Sequence, residues 1–184
     1  RMFACEHEDV VPDMLCLGKG ITAGYLPLAA MIATDEVYEA FLGGYDKTLF
    51  HGHTYSGNPL AAAAALASLD LFDEEKSLPE LLPKITRLGV HLSRLAQHQH
   101  VADARQCGFI GAVELTADKA TGEPFPAEDR IGWQICRDIL DRGVWLRPLG
   151  DVLVVMPPLC VTVEQLDRIM DALTRGIDTV TGAA

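Results

Sequence analysis

The chain has 184 residues, 49% of them hydrophobic, which suits one domain of ordinary size or parts of two. Lys and Arg number 15 against 26 Asp and Glu, a formal net charge of −11. That argues against nucleic acid as a partner, which needs clustered cations to neutralise its backbone, although one phosphate can still be held by backbone amides and a helix end.

No apolar run reaches membrane-span length. The five cysteines, Cys5, Cys16, Cys107, Cys136 and Cys160, are odd in number, contain no C-x-x-C pair and mostly stand in apolar sequence. Read as buried free thiols, they suggest a reducing, cytoplasmic setting. The start Arg1-Met2-Phe3 does not look like a natural N-terminus.

Residues 1–34 read as strand, lysine loop, strand. Met14–Leu17 and Leu28–Ile32 are short apolar runs, expected to be strands buried on both faces. Between them, Lys19 stands between Gly18 and Gly20. Flanking glycines let a bulky flat group approach the backbone. A lysine against apolar walls is a free amine more of the time, and a free amine attacks an aldehyde to form a Schiff base. A solvated lysine in a turn is the other reading of the same residues.

Thr34 is a candidate N-cap for a short helix to Phe41, with Asp35 and Glu36 in its first turn. Gly43-Gly44-Tyr45-Asp46 reads as a polar turn. Asn58-Pro59 pairs an N-cap with a proline at the first helical position and opens an alanine-rich helix over residues 60–73. So many small side chains suit burial against a sheet or a subunit partner. The charged run Asp73–Ser77 breaks the pattern and places a boundary there, dividing the chain into residues 1–76 and 77–184.

Leu81, Ile85, Leu88, Leu92 and Leu95 mark the apolar face of the next helix, with His91 and His98 read as surface histidines. Residues 101–115 read as a strand pair, Gly108 and Gly111 marking bulges or close packing. Thr116–Ala127 should be an exposed loop. Ile131, Ile135 and Ile139 give another helix face, stopped by Gly143. Val144–Arg147 and Val152–Met156 read as strands around a Gly150-Asp151 hairpin. Thr162 and Gln165 can form a capping box for a last helix through Leu166, Ile169, Leu173, Ile177 and Val180, with Thr181–Ala184 frayed.

Two further constellations carry chemistry. His51-Gly52-His53-Thr54-Tyr55-Ser56-Gly57 precedes the Asn58-Pro59 helix start, which does not itself explain that run. Two histidines one apart on a strand can bind zinc, with His7 the nearest third donor, so a metal-dependent hydrolase is a rival reading. Arg147 lies in Gly143-Val144-Trp145-Leu146-Arg147-Pro148-Leu149-Gly150. A guanidinium fork binds a carboxylate bidentately, and the apolar flanks suggest burial; a surface salt bridge is the alternative.

The lysine loop, the His51–Pro59 run, Phe3-Ala4-Cys5-Glu6-His7 and Pro12-Asp13 together resemble the class III pyridoxal-phosphate-dependent aminotransferases. The Arg147 run and Val155-Met156-Pro157-Pro158-Leu159 narrow the resemblance to the members of biotin synthesis. It extends along nearly all of the chain but corresponds to the C-terminal part of such an enzyme, less than half of it.

The resemblance implies an α/β architecture: the end of the large domain of a fold type I pyridoxal-phosphate-dependent transferase, then the small C-terminal α+β domain. Full members have a mixed, mostly parallel seven-stranded sheet and work as homodimers with the active site at the interface. It implies pyridoxal 5'-phosphate as cofactor and Lys19 as the lysine that binds it and moves the proton. The Thr54 hydroxyl and amide, with the backbone at His53, would hold the phosphate from the neighbouring subunit. Gly52 would lie against substrate, and Arg147 would pair with the substrate carboxylate.

The implied substrates are 8-amino-7-oxononanoate and S-adenosylmethionine, with lysine as the donor of some relatives. The aspartate that faces the pyridine nitrogen lies outside this chain, and Val154 stands where some members carry tyrosine. The alternatives are another class III ω-aminotransferase or a non-catalytic truncated domain. The 184 residues alone are expected to be inactive.

Overall fold

The structure is a computed structural model and describes residues 1–183. The chain divides into two compact units, Arg1–Leu78 and Pro79–Ala184.

In the first unit, β1 (Met14–Leu17) pairs antiparallel with β2 (Ala30–Ala33), Met14 opposite Ala33 and Leu17 opposite Ala30. The second strand therefore starts two residues later than expected. Neither strand is buried on both faces: Met14, Met31 and Ile32 are exposed. Two strands alone cannot cover each other's faces, which is why an apolar run that looks like a core strand ends up half in solvent.

Helix α1 (Asp35–Glu39) stops short of Phe41, and Thr34 caps it by position only, without a side-chain bond. Helix α2 (Pro59–Glu74) starts as its sequence dictates: Asn58 Oδ1 accepts from the Leu60 amide at 3.0 Å, with Pro59 in the first turn. Its buried residues are Ala61, Ala65 and Ser68, a narrow stripe of small side chains, while Leu60, Leu66, Leu69 and Leu71 are exposed. The alanine-rich helix is thus not enclosed by the described residues of its unit.

The second unit holds a four-stranded antiparallel sheet of order β3-β4-β6-β5: β3 (Val101–Cys107), β4 (Ile110–Leu115), β5 (Pro148–Leu149) and β6 (Val152–Val155). Helices α3 (Ser77–Leu95), α4 (Ile131–Leu140) and α5 (Val163–Thr181) complete it. The period-2 alternation of Val113 and Leu115 on β4 and of Leu153 and Val155 on β6 supplies one wall of the core. Leu88 and Leu92 of α3, Ile135 and Ile139 of α4, and Leu166, Met170, Leu173 and Ile177 of α5 supply the other.

Two glycines allow close packing around α4. A Cβ on Gly176 of α5 would lie 2.5 Å from Ile139 of α4, and one on Gly132 of α4 would lie 2.3 Å from the Gly150 carbonyl oxygen. The capping box at α5 forms in full, the Gln165 amide donating to Thr162 Oγ1 at 3.2 Å and the Thr162 amide to Gln165 Oε1 at 2.8 Å.

Several expectations are corrected. Val144–Arg147 is not a strand: the Val144 amide bonds back to the Ile139 carbonyl, closing the end of α4, and strand geometry begins only at Pro148. Gly108 is the turn of the β3–β4 hairpin at φ +55°, while the ladder irregularity falls between Val101 and Asp103. Gly111 does mark close packing, under Leu92. Thr116 is buried, its hydroxyl donating to the Glu123 carbonyl at 2.6 Å and tying down the loop that follows.

His91 is buried rather than on the surface, and His98 is half-buried, bonded to Asp178 at 3.0 Å. Of the cysteines, only Cys136 is buried, which pushes its thiol up to about 11, whereas Cys16, Cys107 and Cys160 are exposed. No helix among the described residues is long and apolar enough to cross a membrane. The fraying expected over Thr181–Ala184 is not found at residues 181–183, where Thr181 closes α5, Gly182 caps it and the Ala183 amide donates to the Asp178 carbonyl at 3.0 Å; Ala184 lies outside the described residues.

Candidate functional site

The lysine loop is a chain of tight turns. Lys19–Thr22 is a short 3₁₀ turn that packs against α2. Lys19 and Ala23 both sit at left-handed backbone angles, φ +50° and +51°, which residues with a Cβ avoid. The Ile21 amide bonds the Gly18 carbonyl at 3.3 Å, the Ala23 amide the Gly20 carbonyl at 3.0 Å, and the Tyr25 amide the Thr22 carbonyl at 3.0 Å. Thr22 is the one buried residue of the turn, and its hydroxyl donates to the Leu26 carbonyl at 2.5 Å.

Lys19 itself is exposed, so the apolar walls expected around it are not formed by its own unit. It lines a cavity of about 1140 Å³ together with Tyr25, Leu26, His53, Tyr55 and Asn58.

His53 reaches that cavity from a loop without strand structure, so the strand premise of the zinc reading does not hold for His51 and His53. Its Nδ1 accepts from the Tyr55 amide at 3.1 Å, its amide donates to Ser56 Oγ at 3.2 Å, and its carbonyl accepts from the Ser56 amide at 3.0 Å. An Nδ1 used as acceptor leaves the ring proton on Nε2 in the neutral form. Thr54 is exposed, and among the described residues its hydroxyl and amide find no hydrogen-bond partner. Gly52 is equally open, a Cβ there meeting no atom closer than Ser56 Oγ at 4.0 Å.

Arg147 lies in the second unit, on the segment between α4 and β5. It is exposed, contrary to the expectation of burial, because Val144 and Pro148 take the inward positions on either side of it. Among the described residues it makes no ion pair, which removes the surface salt bridge as its explanation.

One polar cluster escaped the sequence. Arg87 donates to both Asp167 oxygens, Nε to Oδ1 at 2.6 Å and Nη2 to Oδ2 at 2.9 Å, while His91 Nε2 lies 2.6 Å from Oδ1. The Arg87 bond, followed by that from His91, holds the Asp167 carboxyl down at about 2. The available signal was the spacing of Arg87 and His91, one helical turn apart on α3; the partner on α5 carries no local mark.

The class III aminotransferase family model matches residues 1–177. The chain belongs to that family. It is 54% identical over 183 residues to the adenosylmethionine-8-amino-7-oxononanoate aminotransferase of Geobacter sulfurreducens, covering 98% of this chain and 40% of that protein. It is 51% identical over 174 residues to the Aquifex aeolicus enzyme of the same name, covering 94% and 38%. A crystal structure of that aminotransferase from Methanocaldococcus jannaschii superposes with a TM-score of 0.90 at 42% identity, over 97% of this chain and 42% of the other. The PMP-bound form of a Vibrio fluvialis aminotransferase gives 0.90 at 29% identity, over 99% and 41%. The chain thus spans about 40% of the length of the curated relatives it matches, and it is an α/β fragment of the aminotransferase fold.

Class III aminotransferases are pyridoxal-phosphate-dependent enzymes. The residues of this chain fit that group. Gly18 and Gly20 have no left-handed angle that requires glycine, and a Cβ on either would meet nothing within 4 Å. Their smallness therefore has no use inside this chain, and it suits the close approach of a flat group beside the one exposed amine between them.

Proposed function

We propose that the intact protein transfers an amino group to 8-amino-7-oxononanoate, giving 7,8-diaminononanoate, with pyridoxal 5'-phosphate as cofactor and S-adenosylmethionine as donor. The names of relatives at 54% and 51% identity support that reading. The observation that carries it is Lys19: an exposed amine on a strained turn, between two glycines whose openness nothing in the chain explains. An ω-transaminase has the same fold at a TM-score of 0.89, so fold does not choose between the readings, but its identity is only 29%.

In this reading residues 1–76 close the large cofactor-binding domain and residues 77–184 form the small one. Two copies assemble as a homodimer in the cytoplasm.

The bound cofactor supplies an electron sink for the carbon that bears the transferred nitrogen. Lys19 Nζ would hold it, and the same amine would move the proton at that carbon. The Thr54 hydroxyl and amide would donate to the phosphate across the subunit interface, a use consistent with their being unpaired; the His53 amide, bonded to Ser56 Oγ at 3.2 Å, would have to leave that partner to join them. Gly52 leaves room for substrate, and the Arg147 fork binds its carboxylate.

Borohydride reduction of the cofactor-loaded intact protein, followed by peptide mapping, should place the label on Lys19; label on Lys47 or Lys84 would overturn the assignment. Arg147→Ala should then lower kcat/KM for 8-amino-7-oxononanoate by roughly tenfold to a hundredfold, the worth of a charge-assisted hydrogen-bond pair. Arg147→Lys should recover little of it.

A further inference from the structure

We propose that Thr22 is the positioning residue of Lys19: its hydroxyl bond to the Leu26 carbonyl locks the turn that holds the lysine backbone in its left-handed conformation. The inference rests on Lys19 being the reacting lysine.

The turn contains two residues that would relax if left alone, Lys19 at φ +50° and Ala23 at φ +51°. A conformation of that kind persists only where the surroundings over-determine it. Three backbone bonds run through the turn, yet each is a single short-range bond of the sort solvent competes for. One residue does more. Thr22 accepts the Tyr25 amide on its carbonyl at 3.0 Å and donates its hydroxyl to the Leu26 carbonyl at 2.5 Å, so it grips the outgoing chain at two successive points.

It is 1% exposed, while Lys19, Gly20, Ala23 and Gly24 around it are all exposed. The turn packs against α2, the best-capped helix of its unit. Thr22 is thus the anchor, and Lys19, three residues earlier on the same turn, is the exposed end of the lever. Releasing the hydroxyl lets the backbone at Lys19 swing toward an ordinary angle and carries Nζ with it. A displacement of about 1 Å at a reacting group can lower turnover on the order of a hundredfold.

The test uses the full-length aminotransferase with Thr22→Val, which keeps the shape and removes the hydroxyl, and Thr22→Ser, which keeps the hydroxyl. Thr22→Val should lower kcat by roughly tenfold to a hundredfold with KM for both substrates within about twofold. It should also move the pH midpoint of the visible absorbance of lysine-bound cofactor. Thr22→Ser should recover most of both. A merely structural role would lower thermal stability and cofactor loading without moving that midpoint in the loaded fraction.

Wild-type kcat and midpoint in Thr22→Val, or Thr22→Ser no better than Thr22→Val, would overturn the inference. Should Thr22→Val fail to fold, Thr22→Ala, which also lacks the hydroxyl, decides by the same two readouts, and wild-type values of both would overturn the proposal. Reductive label on Lys19 with an unaffected Thr22→Val removes this inference alone; label on another lysine removes it and the functional reading together.

Discussion

In residues 79–184 the side chains of Leu88, Ile135, Ile139, Leu153, Leu166, Met170, Leu173 and Ile177 are fully buried, whereas in residues 1–78 the only buried hydrophobics described are Ala61 and Ala65. Both stretches are rich in leucine and alanine, so those residues do not separate them. What separates them is whether the complement of each apolar face lies in the same unit. Helices α3, α4 and α5 and one face of a four-stranded sheet cover one another. Helix α2 and the β1–β2 ribbon leave Leu60, Leu66, Met14 and Ile32 uncovered.

The largest expected effect separates the two units outright. A polypeptide of residues 77–184, which keeps α3 whole, should unfold cooperatively in urea, while residues 1–76 should show no cooperative transition. A sloping, non-cooperative curve for residues 77–184 would break the comparison.

Next comes the same deletion on each side, measured in the 184-residue chain. Leu173→Ala removes a fully buried side chain of α5 and should cost about 2–5 kcal/mol of unfolding free energy. Leu69→Ala on α2, where half the side chain is already in water, should stay within about 0.5 kcal/mol.

Caps sharpen it further. Thr162→Ala breaks the box at α5 and should cost about 0.5–2 kcal/mol, shifting the urea midpoint. Asn58→Ala removes an equally well-formed cap from α2 and should leave that midpoint unmoved, because no cooperative core reports it.

The smallest effect is with pH. Asp167 titrates at about 2 when folded against an ordinary 3.8, so the folded state holds fewer protons in that window. The stability it contributes is complete above pH 4 and falls away as the pH drops through 2. Asp167→Asn should flatten the acid limb of the stability profile between those values; an unchanged limb would mean that Arg87 and His91 do not act on this carboxyl.

The same contrast governs how much the sequence disclosed. The faces of α3 and α5 and both caps were legible, because periodicity and capping are local. The pair β3–β4 was legible for the same reason. Burial was not, wherever it depends on what lies across. Lys19 was expected against apolar walls and is exposed; His91 was expected in solvent and is buried, because its partner Asp167 comes 76 residues later. The segment Val144–Arg147 looked like a strand, yet its first amide is spent on the end of α4, a choice that no alternation of side chains records. At the candidate site, residue types and spacing pointed to Lys19, His53, Thr54 and Arg147 through a resemblance, but Thr22 had no signature: a buried hydroxyl reads like any other threonine.

The short span between Val144 and Pro148 has a consequence in time. Both of its ends are buried, and Gly132 of α4 lies directly under Pro148, with room for no side chain. The backbone at Arg147 is therefore released only when its unit opens, on the slow scale of unfolding. Its exposed guanidinium reorients in picoseconds to nanoseconds. In the proposed reading, a fixed backbone carrying a fast side chain would meet carboxylates on tethers of slightly different length by a change of rotamer.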